Sequence, residues 1–380
     1  MGYTNADYWE TEDKIMNKII AGFILPIWYK LCCLCRVKKQ ILFVVIRGDK
    51  LPSDFAVIKK YIKKDDQLKE YKRVYHYFTL GKGTKIKYAS RCFSLMPKLA
   101  RAKYVFVSDG SNIITNLKLR KGTKLIQTWH GCGALKKFGC DIDQSKKLFG
   151  NEDIVTVSSE QLVPVYSKAM GLEQDVIKPV GVPHTDIYFS DGFKKHCQEL
   201  REGFLAGRNK KIVLYAPTFR GDISAPKDAS GLNLDIMYKH LNQDYVVISK
   251  LHPLLKPVKK NYRHKDFYYD VSSVWTIEEA LMVCDILVTD YSSVIFDYSL
   301  LNKPALFYAF DLEEYEVNTG FYLDYRKEMP GAVCTSTMDV VKEIKNGSYD
   351  VSKMKNFKNA YMSSCDGGAT QRLMDIIKDM

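Results

Sequence analysis

Short apolar runs without polar alternation recur along the chain, and each one ends in a polar turn. A first series comprises ILFVVI at 41–46, YVFVSD at 104–109, KLIQT at 124–128 and DIVTVS at 153–158. A second series comprises KIVLYAPT at 211–218, YVVISKL at 245–251, DILVTD at 285–290 and PALFYAF at 304–310. Such runs are typical of strands covered on both faces, as in a parallel sheet, and the helical stretches between them predict an α/β fold.

Two series of buried strands predict two doubly wound, Rossmann-type domains whose strand carboxyl ends face a cleft. The chain has 380 residues, which is too long for a single core. We place the first domain at 37–185 and the second at 186–350. A helical segment at 351–380 is expected to return toward the first domain.

Residues 1–36 precede the first strand and contain a largely apolar stretch, IMNKIIAGFILPIWYKLCCLC at 15–35. Two lysines and a proline interrupt the stretch, so it falls short of the roughly 20 apolar residues of a membrane span. Three alternatives stay open: an amphipathic helix on the membrane surface, a helix packed on the fold, and a true span. The aromatic pair Trp28 and Tyr29, followed by basic residues, favours surface attachment.

The charge and cysteine content of the chain limit the kinds of ligand and partner that it is expected to bind. The chain has 57 lysines and arginines against 44 acidic residues, and a net charge of +13 favours anionic partners. The basic residues are dispersed along the chain, which argues against a nucleic-acid-binding module. The ten cysteines form no paired CxxC elements and no zinc-type Cys/His spacing, so we expect reduced thiols in a cytosolic protein and no metal site.

Polar clusters follow four of the predicted strands, where α/β folds bind ligands. The clusters are Trp129-His130-Gly131 with Gly133, Lys136 and Lys137; Ala216-Pro217-Thr218-Phe219-Arg220; Lys250-Leu251-His252-Pro253; and Thr289-Asp290-Tyr291-Ser292-Ser293. No Gly-x-Gly-x-x-Gly follows a strand and no Walker-type loop is present, which argues against a dinucleotide dehydrogenase or a P-loop NTPase. A GxSxG nucleophile elbow is also absent from the sequence.

Each cluster has a chemical and a structural interpretation. The hydroxyls of Ser292 and Ser293 suit an anion site at a helix N-terminus, but they also suit ordinary helix caps. Arg220 suits a bidentate phosphate contact, with a solvated loop arginine as the alternative. Lys250 and His252 occupy alternate positions, so both point to one side of an extended segment. The conjunction of these groups at strand ends favours a phosphate site over four separate structural roles.

Several segments together resemble the CDP-glycerol glycerophosphotransferase family, whose members prime and polymerise wall teichoic acid and related polyol-phosphate polymers. The segments are QTWHG…LKKFG at 127–139, YAPTFR at 215–220, KLHP at 250–253, TDYSSVIFDYSLLNKPALFY at 289–308, DLEEY at 311–315, GFYLDY at 320–325 and DGGATQR at 366–372. The ordered set covers most of residues 100–372, and it is specific only as a set.

The resemblance implies a GT-B-like fold with the nucleotide donor held by the C-terminal domain. It also implies a peripheral enzyme on the cytoplasmic side of the cell membrane. Such an enzyme moves a glycerol- or ribitol-phosphate unit from CDP-glycerol or CDP-ribitol to a hydroxyl of a polyprenyl-linked acceptor and releases CMP. The alternative is a GT-B glycosyltransferase that uses a nucleotide sugar. No cofactor is required, although Mg²⁺ is an option with the diphosphate. The choice of polyol, the number of units added, the final polymer and any homo-oligomer stay open.

The resemblance also implies roles for individual residues. His130 and His252 match the family's two essential histidines, and His130 is our candidate for the base that activates the acceptor hydroxyl. On the donor side, the expected phosphate and CDP contacts are Thr218, Arg220, Lys250, Thr289, Asp290, Ser292 and Ser293. On the acceptor side, the expected residues are Gly131, Gly133, Lys136 and Lys137, with the two lysines either binding acceptor phosphates or simply solvated.

Two positions depart from the family pattern. The common form of the first motif reads WHGTPLKK, whereas Cys132-Gly133-Ala134 replaces Thr-Pro here and makes the loop one residue longer. The sequence of this loop is therefore expected to differ between subtypes of the family. Many members also have an arginine in a G-x-P-R-x-D turn, where this chain has His184 in GVPHTD. The histidine weakens any prediction that this turn contacts phosphate.

Overall fold

The structure is a computed structural model that describes residues 20–46, 48–78, 85–129, 131–143, 148–221, 227, 231–252, 255 and 263–380. The chain divides into two compact units. The first consists of the chain up to Cys132 together with Lys137–Asp186 and Ser364–Met380. The second consists of Gly133–Lys136 and Ile187–Ser363.

The first unit is built on a six-stranded parallel sheet. Its strands are β1 (Gln40–Val45), β2 (Lys72–Tyr77), β3 (Tyr104–Val107), β4 (Lys124–Gln127), β5 (Ile154–Thr156) and β6 (Ile177–Lys178), in the order β2-β1-β3-β4-β5-β6. Successive residues of β1 enter different cores, with Leu42 and Val44 in one and Phe43 and Val45 in the other. Both faces of the sheet are therefore covered, as the apolar runs predict.

Helices cover the two faces of this first sheet. The α-helices of the unit are Leu25–Cys32, Ser53–Ile62, Lys85–Arg101, Asn112–Thr115, Val163–Met170 and Ala369–Lys378, and a short π-helix spans Ile20–Ile24. Single 3-10 turns span Gly139–Asp141, Glu160–Leu162 and Gln174–Val176, and a longer one spans Pro183–Phe189 where the first unit passes into the second.

The second unit is also built on a six-stranded parallel sheet. Its strands are β7 (Lys211–Ala216), β8 (Tyr245–Ser249), β9 (Tyr268–Asp270), β10 (Ile286–Thr289), β11 (Ala305–Tyr308) and β12 (Ala332–Cys334), in the order β12-β11-β10-β7-β8-β9. This is the strand order of a doubly wound nucleotide-binding sheet, and the order reverses between β7 and β10. Ligands of such sheets bind beyond the carboxyl ends of the strands at that reversal.

Among the described residues, the α-helices of the second unit are interspersed with its strands along the chain. They are Asp191–Leu205, Leu234–Leu241, Ile277–Val283, Val294–Ser299, Leu312–Thr319, Tyr325–Glu328, Thr337–Asn346 and Val351–Tyr361. Helix Ile277–Val283 begins with a capping box, in which the Thr276 hydroxyl accepts from the Glu279 N–H and the Glu279 carboxylate accepts from the Thr276 N–H. The helical stretches expected between the predicted strands are present, for example Lys85–Arg101 and Ile277–Val283.

The eight strands predicted from apolar runs are all present, whereas β2, β6, β9 and β12 escaped prediction. All four lie at a sheet edge, β2 and β6 in the first sheet and β9 and β12 in the second. Edge strands are covered less completely, so their sequences lack the continuous apolar run. The prediction of an α/β fold with two parallel-sheet units is confirmed.

The C-terminal segment differs from the single returning helix that we predicted at 351–380. Helix Val351–Tyr361 belongs to the second unit, where Phe357 packs 5.1 Å from the ring of Phe296. Gly367, with a φ of 94°, lies between this helix and the last one. Only Ser364–Met380 returns to the first unit, and there the Asp186 carboxylate accepts from the backbone N–H groups of Ala369 and Thr370 at 3.0 and 2.8 Å. A glycine with positive φ thus lies in the segment through which the chain returns to the first unit.

The N-terminal segment is described only from Ile20, because residues 1–19 lie outside the described residues. Leu25 and Tyr29 are buried in a core of the first unit, so one side of helix Leu25–Cys32 packs on the fold. Other apolar side chains nearby are exposed, and Phe23 and Leu34 keep 71% and 85% of their surface. Among the described helices, none combines the length and the apolar character needed to cross a membrane.

Candidate functional site

The carboxyl ends of four neighbouring strands bring the predicted donor clusters to one edge of the second sheet. Strands β11, β10, β7 and β8 are adjacent in that order. The segments that follow them contain Asp311, Asp290, Arg220 and His252 respectively. Parallel strands end at the same edge, so clusters separated by up to about 90 residues meet there.

Asp290 ties two of these strand ends together. Its carboxylate Oδ1 accepts from the backbone N–H of Thr218 at 2.8 Å and from that of Tyr291 at 2.7 Å. The side chain is buried, and this burial raises the pKa of Asp290 against the opposing effect of the Arg220 charge. Asp290 therefore organises the turns at the reversal of strand order.

Arg220 is held between two carboxylates. Its Nε and Nη2 donate to the two oxygens of Asp311 at 2.6 and 3.0 Å, and its Nη1 donates to Asp290 at 2.9 Å. The guanidinium also lies 5.0 Å from the ring centre of Tyr291 and 5.1 Å from that of Tyr315. Arg220 is thus the centre of an ion cluster, and a donor phosphate would have to share it with two carboxylates.

Asp311 is a member of this cluster that residue-level reasoning missed. It follows β11 at the same edge as the other clusters, which is the signal that could have identified it. Burial raises the pKa of Asp311, but hydrogen bonds from Arg220 and Tyr291 outweigh that effect and hold it below its usual range. Asp311 therefore stays ionised and keeps Arg220 in place.

The predicted hydroxyl contacts fall into different environments. The Thr218 hydroxyl is buried and makes no hydrogen bond of normal geometry to a described residue, although it lies close enough to the Asp290 carboxylate to lower the pKa of that group. The hydroxyl of Thr289 is also buried, but it donates to the carbonyl of Ala216 at 2.8 Å and so closes the sheet. Buried polar groups without partners are rare and commonly mark binding positions. Thr218 is therefore the better candidate for a ligand contact.

Ser292 and Ser293 precede helix Val294–Ser299 and are both half-buried. The Ser292 hydroxyl accepts weakly from the backbone N–H of Val294 at 3.4 Å, as a cap would. Ser293 occupies the cap position itself, yet its side chain makes no capping hydrogen bond. Capping accounts for Ser292 in part and leaves Ser293 without that structural role.

Lys250 and His252 follow β8 and behave differently. The Lys250 amine donates to the carbonyls of Ser272 and Trp275, both at 2.7 Å, and burial lowers its pKa. This lysine therefore fixes the turn after β9. The ring of His252 is half-buried, with its centre 4.8 Å from that of the Phe219 ring, which belongs to the cluster after β7. His252 is thereby placed beside the segment that contains Thr218 and Arg220.

The residues predicted for the acceptor side do not form one group in the structure. His130 lies outside the described residues. Gly131 is half-buried in the first unit, and Lys137 is exposed there. Gly133 and Lys136 instead belong to the second unit. The loop is thus divided between the units, because its short segment Gly133–Lys136 packs with residues of the second unit.

Gly133 and Lys136 have specific partners in that unit. Gly133 has a φ of 66°, and a Cβ there would lie 2.2 Å from the Phe296 ring. The Lys136 amine donates to the Tyr315 hydroxyl at 3.5 Å, and its backbone forms an antiparallel bridge with Phe321. Burial lowers the pKa of Lys136 to about 8 against the attraction of Asp290. Lys136 is therefore a neighbour of the ion cluster.

Comparison with known proteins places this arrangement in context. A family model described as CDP-Glycerol:Poly(glycerophosphate) glycerophosphotransferase matches residues 29–379. A teichoic acid ribitol-phosphate primase from Bacillus spizizenii W23 is 30% identical over 380 residues, covering 95% of this chain and 97% of the primase. A teichoic acid poly(ribitol-phosphate) polymerase from the same strain is 34% identical over 302 residues, covering 77% of this chain.

The chain spans about half the length of that polymerase, since the match covers 49% of it. A solved structure of the wall teichoic acid polymerase TagF superimposes with a TM-score of 0.76 at 22% identity. That superposition covers 99% of this chain and 98% of the TagF chain. At this identity the likeness shows the fold alone, an α/β fold with two parallel-sheet units.

The ion cluster predicts a large loss of stability when its centre is removed. Arg220→Met leaves the buried carboxylate of Asp290 and the half-buried carboxylate of Asp311 without their partner, so the free energy of unfolding should fall by about 3–5 kcal/mol. Urea denaturation followed by circular dichroism measures this change. The matched control is Arg326→Met, which breaks the exposed pair with Glu313 in the same unit and should cost under about 1 kcal/mol. Equal losses in the two variants would contradict a central role for Arg220.

Proposed function

Because the chain belongs to the CDP-glycerol:poly(glycerophosphate) glycerophosphotransferase family, we propose that it transfers a polyol-phosphate unit from a CDP-polyol to an acceptor hydroxyl. The polyol is glycerol or ribitol, the acceptor is polyprenyl-linked, and CMP is released. The observation that carries the proposal is the cluster of Thr218, Arg220 and Asp290 beyond the reversal point of the second sheet. Nucleotide phosphates bind at that position in doubly wound sheets.

In the proposed reaction, the acceptor hydroxyl attacks the phosphorus that carries the polyol, and the bond from that phosphorus to CMP breaks. An alcohol is a weak nucleophile at neutral pH, so a base within hydrogen-bonding reach must accept its proton. We assign that role to His130. Negative charge develops on the phosphoryl oxygens and on the departing CMP, and donors placed at the strand ends would stabilise it.

The candidate hydrogen-bond donors to these oxygens differ in how far they are already engaged in hydrogen bonds of the fold. Thr218 has a buried hydroxyl without a hydrogen bond of normal geometry to a described residue, and Ser293 has a hydroxyl that makes no capping bond. His252 lies beside the same segment, next to Phe219. Arg220 would act mainly by holding this edge in shape, since two carboxylates already bind it. Mg²⁺ is an option at the diphosphate, and the proposal requires no other cofactor.

A product assay tests the activity. Purified protein is incubated with a lipid-linked disaccharide analogue and, separately, with CDP-glycerol, CDP-ribitol or UDP-N-acetylglucosamine, each with and without Mg²⁺. We expect CMP release and a product heavier by one or more polyol-phosphate units with at least one CDP-polyol, measured by mass spectrometry. Transfer from the UDP-sugar alone would replace the proposal with the glycosyltransferase alternative.

The assigned base gives a second prediction. His130→Ala should abolish transfer, because no other group would remove the acceptor proton, while the affinity for the CDP-polyol stays within about twofold of wild type. Turnover and calorimetric affinity measure the two effects separately. His240→Ala, in helix Leu234–Leu241 of the second unit, is the control and should leave both unchanged. Near-normal turnover of His130→Ala would remove this histidine from the chemistry.

We also propose that the N-terminal helix attaches the protein to the cytoplasmic face of the membrane. Its buried side, Leu25 and Tyr29, packs on the first unit, while Ile27, Trp28 and Leu31 keep 54%, 39% and 53% of their surface exposed. Basic residues including the exposed Lys30 accompany this apolar surface. Exposed apolar side chains beside lysines and arginines suit the interface of an anionic leaflet.

Vesicle binding tests this attachment. Ile27→Asp combined with Leu31→Asp should weaken binding to vesicles of 30% phosphatidylglycerol by about tenfold or more, because two buried apolar contacts with lipid are replaced by repelled charges. Co-sedimentation measures the partition coefficient. Val317→Asp changes an 87% exposed valine of the second unit and should have little effect. Wild-type binding by the double variant would place the attachment elsewhere.

A further inference from the structure

The backbone immediately before His130 has an unusual conformation. Trp129 has a φ of 61°, in the left-handed region that bulky side chains rarely adopt. Its N–H donates to the Gln127 side chain at 2.9 Å, and its ring packs 5.3 Å from that of Phe138 and 5.7 Å from that of Phe149. Conformations of this kind persist only where the surroundings over-determine them, and they are found at functional sites more often than elsewhere.

Asp54 contacts two residues near this turn. One is Thr128, just before the turn, and the other is His184, which contacts Cys132 just after it. Asp54 belongs to helix Ser53–Ile62 of the first unit. Its Oδ2 accepts from the Thr128 hydroxyl at 3.5 Å. Its Oδ1 accepts from the backbone N–H of His184 at 2.9 Å and lies 3.0 Å from Nδ1 of the same residue. One buried carboxylate thus fixes both the backbone and the ring of His184.

His184 in turn reaches Cys132. The Nε2 atom of His184 lies 3.6 Å from the Cys132 sulfur. A carboxylate only accepts hydrogen bonds, so Asp54 selects the tautomer with the proton on Nδ1, and Nε2 is then one of two acceptors near the Cys132 thiol, the other being the sulfur of Cys365. Asp54, His184 and Cys132 are all buried, the cysteine completely. Each polar atom in this chain of contacts therefore has a partner in place of water.

We propose that Asp54, His184, Cys132 and Thr128, which we call the Asp54 clamp, are positioning residues for His130. The clamp contacts Thr128, two residues before His130, and Cys132, two residues after it, so it restrains both ends of the five-residue segment that contains this histidine. The proposal depends on the proposed function for the catalytic role of His130. The four clamp residues all belong to the first unit.

The clamp also explains the two departures from the family pattern together. Cys132 lies in the altered loop, and His184 stands where many members have arginine in the G-x-P-R-x-D turn. These two positions are in contact in the structure. A buried cysteine is most often a small hydrophobic side chain, but a contact with an imidazole that a carboxylate orients gives this thiol a polar role.

Three variants test the clamp by activity. Asp54→Asn, His184→Gln and Cys132→Ala should each lower kcat by about tenfold or more, with the affinity for CDP-glycerol or CDP-ribitol within about twofold of wild type. Cys132→Ser keeps a donor and should recover most of the activity. His184→Gln combined with Cys132→Ala should be no worse than His184→Gln alone, because the two residues act in one contact.

A readout that does not depend on the reaction accompanies these assays. Amide hydrogen exchange in the peptide 125–133 should become faster in Asp54→Asn and His184→Gln, while exchange in β1 stays unchanged. If wild-type protein fails to transfer polyol phosphate, this exchange result still decides on the clamp. Unchanged exchange in both variants would overturn the proposal, whatever the activity.

Two matched controls separate the clamp from general packing effects. Cys92→Ala removes another buried cysteine of the first unit and should leave kcat unchanged. Cys365 is a second neighbour of the Cys132 thiol, whose hydrogen bond lowers the pKa of Cys365. Cys365→Ala should lower kcat by less than His184→Gln does. An equal loss in Cys365→Ala would assign the effect to the pair of thiols and overturn the role of His184.

Discussion

A single guanidinium organises the edge of the second sheet, where the donor site is proposed. Arg220 follows β7, and it binds Asp290 after β10 and Asp311 after β11. Two carboxylates placed this close would repel one another. The arginine between them forms an ion pair with each, and so connects the ends of three strands. The Thr218 N–H completes the connection through Asp290. The positions of the remaining groups at this edge depend on this cluster.

The polar residues at this edge of the sheet fall into two groups. Some make hydrogen bonds that stabilise the fold, and others are available to bind a ligand. Asp290, Asp311, Lys250 and Thr289 are engaged in hydrogen bonds of the fold. The Thr218 hydroxyl lies beside Asp290 without a hydrogen bond of normal geometry to a described residue, and it is the group best placed for a ligand. Phosphoryl transfer gains most of its rate from donors that are already in position when charge develops. A rigid edge with a few unengaged donors meets that requirement.

The sequence was sufficient for the central strands and for the edge where the polar clusters meet, because continuous apolar runs report burial on both faces. It was insufficient for β2, an edge strand with the alternating sequence KRVYHY. It also could not distinguish a binding residue from a supporting one. Lys250 has the composition of a phosphate contact, yet its amine is taken by two backbone carbonyls from a turn more than 20 residues away. Such partners are brought by the tertiary fold and leave no local pattern.

The same limit applies to the loop after β4. Gly133 and Lys136 follow His130 closely in sequence, but their contacts are with Phe296 and Tyr315 of the second unit. The departures at Cys132 and His184 are visible in the sequence as two separate anomalies, and only the fold joins them through Asp54. Sequence reasoning thus identified the unusual positions correctly and could not supply the contact that relates them.

Hydrogen exchange with and without the CDP-polyol tests the central claim most directly, since it reports where the donor binds without requiring catalysis. The account predicts slower exchange on addition of CDP-glycerol or CDP-ribitol in the segments 216–220 and 289–294, which follow β7 and β10. Exchange in β1 and β2 of the first unit should not change. Protection confined to the first unit, with none at the ends of β7 and β10, would contradict the placement of the donor.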